Sequence, residues 1–173
     1  GLYMYNATGT MMFSVDGFKI TVHGKGAHGA YPHASIDPIN AAVHIYTALE
    51  ALIAREVDPA KANLLTVGKF NAGTAPNIIP DTATLKLDIR AQTNELMDEL
   101  LEKVRMAAAG TAAAYGATAE VILPGVVIPA AVYDEDLVAE LAGTIREVLG
   151  DECLARDCGG GGEDFHFFKK ERP

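Results

Sequence analysis

The chain has 173 residues, 49% of them hydrophobic, and a formal charge of −9. That apolar content is ample for one domain, or one domain with part of another. The acidic balance argues against nucleic-acid or anionic-membrane binding, both of which need a basic surface, and no apolar run is long enough to span a bilayer. Charge is unevenly placed: the charged residues of 134–152 are mostly acidic, while Lys169, Lys170 and Arg172 crowd the C-terminus. No signal-peptide pattern stands at Gly1. The two cysteines, Cys153 and Cys158, match neither a disulfide framework nor a common zinc knuckle. We therefore expect reduced thiols in a cytoplasmic protein.

Residues 11–22 hold two apolar runs, MMFSV and FKITV, around Asp16-Gly17. The pair predicts either a hairpin turn or one long strand bulged at Gly17, with Phe18, Ile20 and Val22 on one face. A glycine-rich loop, GKGAHGAYPHASID, runs from Gly24 to Asp37. Asp37-Pro38 then opens a helix, with a capping carboxylate and proline in the first turn. The spacing of Ile39, Ala42, Val43, Tyr46, Leu49 and Ile53 predicts its buried stripe, and Asp58-Pro59 ends it.

Asn63 to Phe70 reads as a strand at a sheet edge, followed by a turn-rich link from Asn71 to Asn77. Ala83 to Ile89 alternates cleanly, so one face packs and the other stays open. Thr93 or Asn94 caps a second helix with Leu96, Leu100, Val104, Ala108, Thr111 and Tyr115 inward and Gly116 at its end. Thr118 to Leu123 is a further strand. The order β-α-β-β-α-β predicts an α+β fold, a ferredoxin-like sandwich with a four-stranded antiparallel sheet and two helices. From Pro124 the character changes. A helix over 134–150, with Leu137, Val138, Leu141, Ile145, Val148 and Leu149 as its stripe, has no place in such a sandwich. We expect a boundary within 124–133, dividing residues 1–128 from a C-terminal piece, 129–173.

Gly24, Gly26 and Gly29 spell G-x-G-x-x-G after a strand. The dinucleotide fingerprint needs a helix starting at its third glycine, and here Pro32 and several loop residues intervene. His23, His28 and His33 recur every five residues, a spacing that converges on neither a strand nor a helix, so they predict no metal site. His28 stands out because flanking glycines let backbone approach a ligand closely. Asn77 either closes an Asx-turn or contacts a ligand. Arg90, on the open sheet face, is either a solvated charge or a carboxylate clamp. Glu163 and Asp164 are acid–base or metal-ligand candidates, though adjacent acids near a terminus are more often solvated.

Taken together, GKGAHGAYPH, DPINAA, TVGKFNAGTAPNIIP, LDIR and GGEDF resemble the lid, or dimerisation, domain of the aminoacylase/carboxypeptidase metallopeptidase family. The nearest branch is the N-acyl-amino-acid amidohydrolases, which include hippurate and auxin-conjugate hydrolases. The resemblance implies a homodimer paired through lids, two divalent metals, usually zinc, in a separate catalytic domain, and an N-acyl or N-aroyl amino acid as substrate. It implies that His28 is catalytic, steadying the scissile oxygen in the partner's active site. Asn77, Arg90 and Gly26 are then substrate-binding, Arg90 on the carboxylate. The family's metal ligands and general-base glutamate have no match here, and His166 stands where a small residue is more usual. On that resemblance the chain holds no metal, is a fragment of its parent and is inactive alone. The alternative is a ferredoxin-like regulatory module that pairs around a small amino acid.

Overall fold

A computed structural model describes residues 1–6, 10–58, 63–123, 125–156 and 161–168. In chain order these form β1 (Tyr3–Tyr5), β2 (Thr10–Met12), β3 (Ser14–His23), β4 (Ala27–His28), α1 (Pro38–Glu56), β5 (Asn63–Ala72) and β6 (Ile78–Ile79). They continue with β7 (Thr82–Ala91), α2 (Asn94–Ala114), β8 (Thr118–Ile122), β9 (Ala131–Val132), α3 (Glu135–Leu149) and β10 (Leu154–Arg156).

The four long strands make one sheet in the order β5-β7-β3-β8, every neighbour antiparallel. Alternation sorts its faces. Phe18, Ile20 and Val22 of β3 and Leu85, Leu87 and Ile89 of β7 point to one side, where α1 and α2 cover them. Ile45 and Leu49 of α1 and Met97, Leu100 and Val104 of α2 close this core. Burying each of the larger side chains contributes about 1.5–3 kcal/mol, so this layer is the main source of stability. β5 lies at the sheet edge, as its sequence predicts.

Both helices start where their capping residues put them. The Asp37 carboxylate accepts N–H bonds from Ile39 and Asn40 at 2.8 and 3.3 Å, and Thr93 Oγ1 accepts from Leu96 at 3.1 Å. Gly116, at φ +73°, ends α2 in the left-handed region that favours glycine.

Several expectations are corrected. Of the two readings of Asp16-Gly17 the single long strand holds, but without a bulge: β3 pairs with β7 in unbroken register from Ser14↔Ala91 to His23↔Thr82. Ladder pairing along the whole strand outweighs the local turn preference. The bulge lies instead in β5, where Gly68 is skipped between Val67 and Lys69, and that strand runs on to Ala72. The buried stripe of α1 is Ala41, Ala42, Ile45, Leu49 and Leu52, while Val43 and Tyr46 are exposed. Both sets satisfy a 3.6-residue period, so spacing alone left the rotation of the stripe open. In α2, Ala112 takes the buried place and Tyr115 stacks on His44 at the surface, ring centroids 4.5 Å apart.

Short pairings absent from the sequence reading tie the ends of the chain together. β1 pairs in parallel with β10, and β2 pairs with β9. The Ser14 hydroxyl donates to the Ile128 carbonyl at 2.9 Å, Asn94 Oδ1 accepts the Ala130 N–H at 2.9 Å, and the Phe13 N–H donates to the Gly161 carbonyl at 2.8 Å. All three sit at the end of the sheet where β3 starts and β7 finishes. These bonds join the C-terminal residues to the sandwich at that end. Of the α3 stripe, Leu137, Leu141, Val148 and Leu149 remain exposed, and the buried residue of the helix is Ala142, outside that stripe. The Arg146 guanidinium donates to Asp151, which raises its pKa above the ordinary value and closes the last turn of α3. Cys153 is a free thiol, whereas Cys158, Pro59 and the terminal Lys169, Lys170 and Arg172 lie outside the described residues.

Candidate functional site

At the opposite end of the sheet the glycine-rich loop meets the Asn77-Ile78-Ile79-Pro80 turn. β4 pairs with β6, Ala27 opposite Ile79 and His28 opposite Ile78. The Gly29 N–H donates to the Asn77 carbonyl at 2.8 Å, extending the pairing by one bond. Asp81 anchors the entrance of the loop twice. Its carbonyl accepts from Gly24 N–H at 2.9 Å, and its carboxylate Oδ1 accepts from Gly26 N–H at 2.8 Å. Lys25 and Ile36 bridge the two ends of the loop through N–H···O bonds of 2.8 and 3.0 Å.

This closeness explains two of the glycines. A Cβ on Gly24 would overlap the Ile36 carbonyl oxygen, and one on Gly26 would lie 2.8 Å from the Ile79 carbonyl oxygen. Neither neighbour is a side chain that can swing away. Here glycine serves close backbone packing within the protein itself, which the sequence reading assigned to ligand approach.

His28 is exposed at the tip of this arrangement. The Ala30 N–H donates to its Nδ1 at 3.1 Å. That nitrogen is therefore the acceptor, and a neutral imidazole then carries its proton on Nε2, facing away from the loop. The Tyr31 ring, 6.0 Å from the imidazole, flanks it. The neighbouring Asn77 side chain is exposed and has no hydrogen-bond partner among the described residues. Beside them an open groove is lined by Gly29, Asp37, Gly73, Pro76 and Ile78. The site thus offers an outward N–H donor and a free carboxamide on a loop held by backbone bonds.

His28, Asn77 and Gly26 come together, and Arg90 does not. It lies eight residues up β7 from Thr82, about 26 Å away at strand rise. There it is half-buried on the open face, with its Nε donating to Asp88 at 3.0 Å. That is the end of the sheet carrying the Gly161 and Ile128 contacts. Asp81 was missed by the sequence reading, although a carboxylate directly after the Asn-x-Ile-Pro turn is a signal for anchoring an opposed glycine loop.

The other histidines do not gather. His23 faces Glu120 at 3.9 Å, and His33 lies edge-on to Tyr31, ring centroids 6.2 Å apart. Glu163 and Asp164 are exposed. Among the described residues no group of three His, Cys, Asp or Glu side chains is placed to hold a metal ion. The described residues therefore do not fit the two metals that the resemblance implies. Nor is any described helix long and apolar enough to cross a membrane.

Known proteins share both the sequence and the fold. The family described as the peptidase dimerisation domain matches residues 10–116. Hippurate hydrolase of Campylobacter jejuni is 36% identical over 148 residues, which is 86% of this chain and 38% of that protein. Thermostable carboxypeptidase 1 of Saccharolobus solfataricus is 33% identical over 168 residues, 95% of this chain and 42% of its own length. Among solved structures, an aminohydrolase described as putative from methicillin-resistant Staphylococcus aureus superposes with a TM-score of 0.84 at 27% identity. That match covers 98% of this chain and 43% of the other. A Bacillus subtilis protein described as a dinuclear metal binding peptidase from the M20 family superposes with a TM-score of 0.72 at 28% identity, covering 98% and 44%. The chain thus spans about two-fifths of the length of these relatives. With the family model spanning most of the sandwich, the chain belongs to the M20 peptidases, and residues 10–116 are their dimerisation domain.

Proposed function

We propose that this chain is the lid and dimerisation part of a cytoplasmic, metal-dependent amidohydrolase that cleaves the amide bond of N-acyl or N-aroyl amino acids. The observation that carries the reading is the His28 hydrogen bond: with Nδ1 occupied by the Ala30 N–H, Nε2–H is left as an outward donor. Such a donor can hold a scissile carbonyl oxygen as negative charge develops on it, without itself giving up the proton. The unpartnered Asn77 carboxamide beside it can orient the substrate's amide, while the Gly26 backbone fixes the loop that carries both. On this reading the described residues contribute to the reaction by donating, orienting and pairing.

His28 and Arg90 at opposite ends of β7 support a shared active site. One subunit supplies Arg90, near the end that carries its C-terminal residues, for the substrate carboxylate. The partner's lid brings His28. A two-fold dimer through the sheet edge makes this possible. Among the described residues β5 bonds only to β7, leaving its outer edge open, and it exposes Leu64 and Phe70. α1, which packs on β5 and β7, exposes Val43 and Tyr46. Taking the long strands in chain order, the sheet runs second, third, first, fourth, an arrangement that supports the ferredoxin-like reading. We assign 1–128 to the lid and 129–173 to a piece of the catalytic domain, with β1 joining that piece through its pairing with β10.

The test is direct. A full-length protein carrying this chain should release the acyl group from hippurate or N-acetyl amino acids in the presence of zinc, and the 173-residue chain alone should not. Sedimentation of the chain at micromolar concentration should give a dimer. Calorimetry with free amino acids should give no heat of binding. Tight amino-acid binding without a metal would favour the amino-acid-binding module instead, and a monomer would count against pairing through the lid.

A further inference from the structure

Two large exposed side chains beside His28 have no part in the chemistry assigned so far. Tyr31 is 60% exposed and Ile78 is 53% exposed. Apolar side chains scattered singly over a surface are ordinary, but these two share one spot. Ile78 stands directly opposite His28 in the β4–β6 pair, so both side chains project from the same face. The Tyr31 ring lies 6.0 Å from the imidazole, tilted by 56°. His33 meets the same ring edge-on at 81°. The outward donor is thus bordered by an aromatic ring and a branched aliphatic.

A second, independent observation is how firmly that ring is carried. Residues 28–34 are all exposed, yet their backbone is bonded repeatedly. The Tyr31 N–H donates to the His28 carbonyl at 2.8 Å, and the Ala34 N–H donates to the Tyr31 carbonyl at 3.0 Å. The Ser35 N–H and hydroxyl both donate to the Pro32 carbonyl, at 3.1 and 2.7 Å. Pro32 fixes its own φ as well. A loop tip that met only solvent would be served by small polar turn residues. An aromatic ring held out on a fixed backbone loses little freedom when a partner packs on it, which suits it to binding.

We propose that Tyr31, together with Ile78, selects the acyl group of the substrate and favours an aromatic one; this rests on the lid reading above. The direction follows from the chemistry assigned there. A substrate whose carbonyl is held at His28 Nε2 extends from it two ways. The amino-acid half carries the carboxylate and runs to the Arg90 supplied by the other subunit. The acyl half is left beside the lid that donates His28. Aromatic rings attract one another at centroid separations of about 4.5–7 Å, and a phenyl ring one bond from the held carbonyl has that reach to Tyr31. A benzoyl group also takes the Tyr31 and Ile78 surfaces out of water, whereas an acetyl group offers a single methyl. Tyr31 meets the acyl group and takes no part in the proton chemistry.

The experiment compares hippurate with N-acetylglycine as substrates of the full-length protein, in wild type, Tyr31→Ala and Tyr31→Phe. The ratio of kcat/KM for the benzoyl over the acetyl substrate should fall about tenfold in Tyr31→Ala. The loss should lie in the hippurate KM, because packing on a ring that does not react is felt equally in the ground and transition states. Tyr31→Phe should keep the ratio within about twofold, since the ring and not the hydroxyl makes the contact. Ile78→Ala should move the ratio in the same direction as Tyr31→Ala. An unchanged ratio in Tyr31→Ala would overturn the proposal and leave the lid reading standing. An equal fall in kcat for both substrates would also overturn it, by making Tyr31 a support for His28. Turnover of neither substrate by the wild-type protein would sink the lid reading itself, and this proposal with it.

Discussion

Replacing His28 by alanine in the full-length enzyme should lower kcat by about 10²–10³, the usual effect of removing one preorganised donor to a developing oxyanion. The loss should appear in kcat rather than KM, because the donor matters most once charge has developed on the oxygen. Stability should stay within about 0.5 kcal/mol, since the side chain is exposed and takes little part in packing. Its side-chain hydrogen bond, from the Ala30 N–H, involves a backbone group at the surface that water can satisfy. Steady-state kinetics beside a thermal melt separates the two effects. Unchanged turnover in the alanine variant would remove His28 from the reaction.

Gly24→Ala is expected to act through the frame instead. The added methyl would overlap the Ile36 carbonyl oxygen and lie 2.9 Å from Pro38 Cδ. Both neighbours are fixed, one by the Lys25–Ile36 bridge and the other as the first residue of α1. The loop must therefore move off the helix start, at a cost of about 1–3 kcal/mol by analogy with overpacked cores. Turnover in the full-length enzyme should fall as well, because the displaced backbone carries His28. Gly17→Ala is the control. There a Cβ meets only the Leu87 carbonyl oxygen at 3.8 Å, and stability should hardly change. Urea denaturation of the two variants checks the contrast, and equal midpoints would show that the loop is not packed as described.

Much of this was legible in the residues because local signals and burial agreed. Alternation in β7, the Asp37 and Thr93 caps and the glycine after α2 fixed the four-strand, two-helix order without any contact information. Where two solutions share one period, the sequence was silent. The α1 stripe could rotate by one residue, and Val43 and Tyr46 came out on the surface. The Asp-Gly turn signal lost to ladder pairing that only the neighbouring strands supply. Short pairings such as β1 with β10 have no period to read, being three residues long. At the site, His28 and Asn77 were visible as motif residues. Their meeting through the two-residue β4–β6 pair was not, nor was the anchoring role of Asp81. The distance from Arg90 to that cluster follows from strand length, yet it mattered only once Asn77 was seen at the far end of the sheet.

That distance bears directly on the shared active site. Two inactive full-length variants, His28→Ala and Arg90→Ala, would be purified, mixed, dissociated and allowed to reassociate. In a heterodimer one site would then draw intact Arg90 from one subunit and intact His28 from the other. Random reassortment of a two-fold dimer should restore about a quarter of wild-type turnover. Mixtures that stay as inactive as their components would mean that both side chains serve one site within a single chain, contradicting the cross-subunit arrangement.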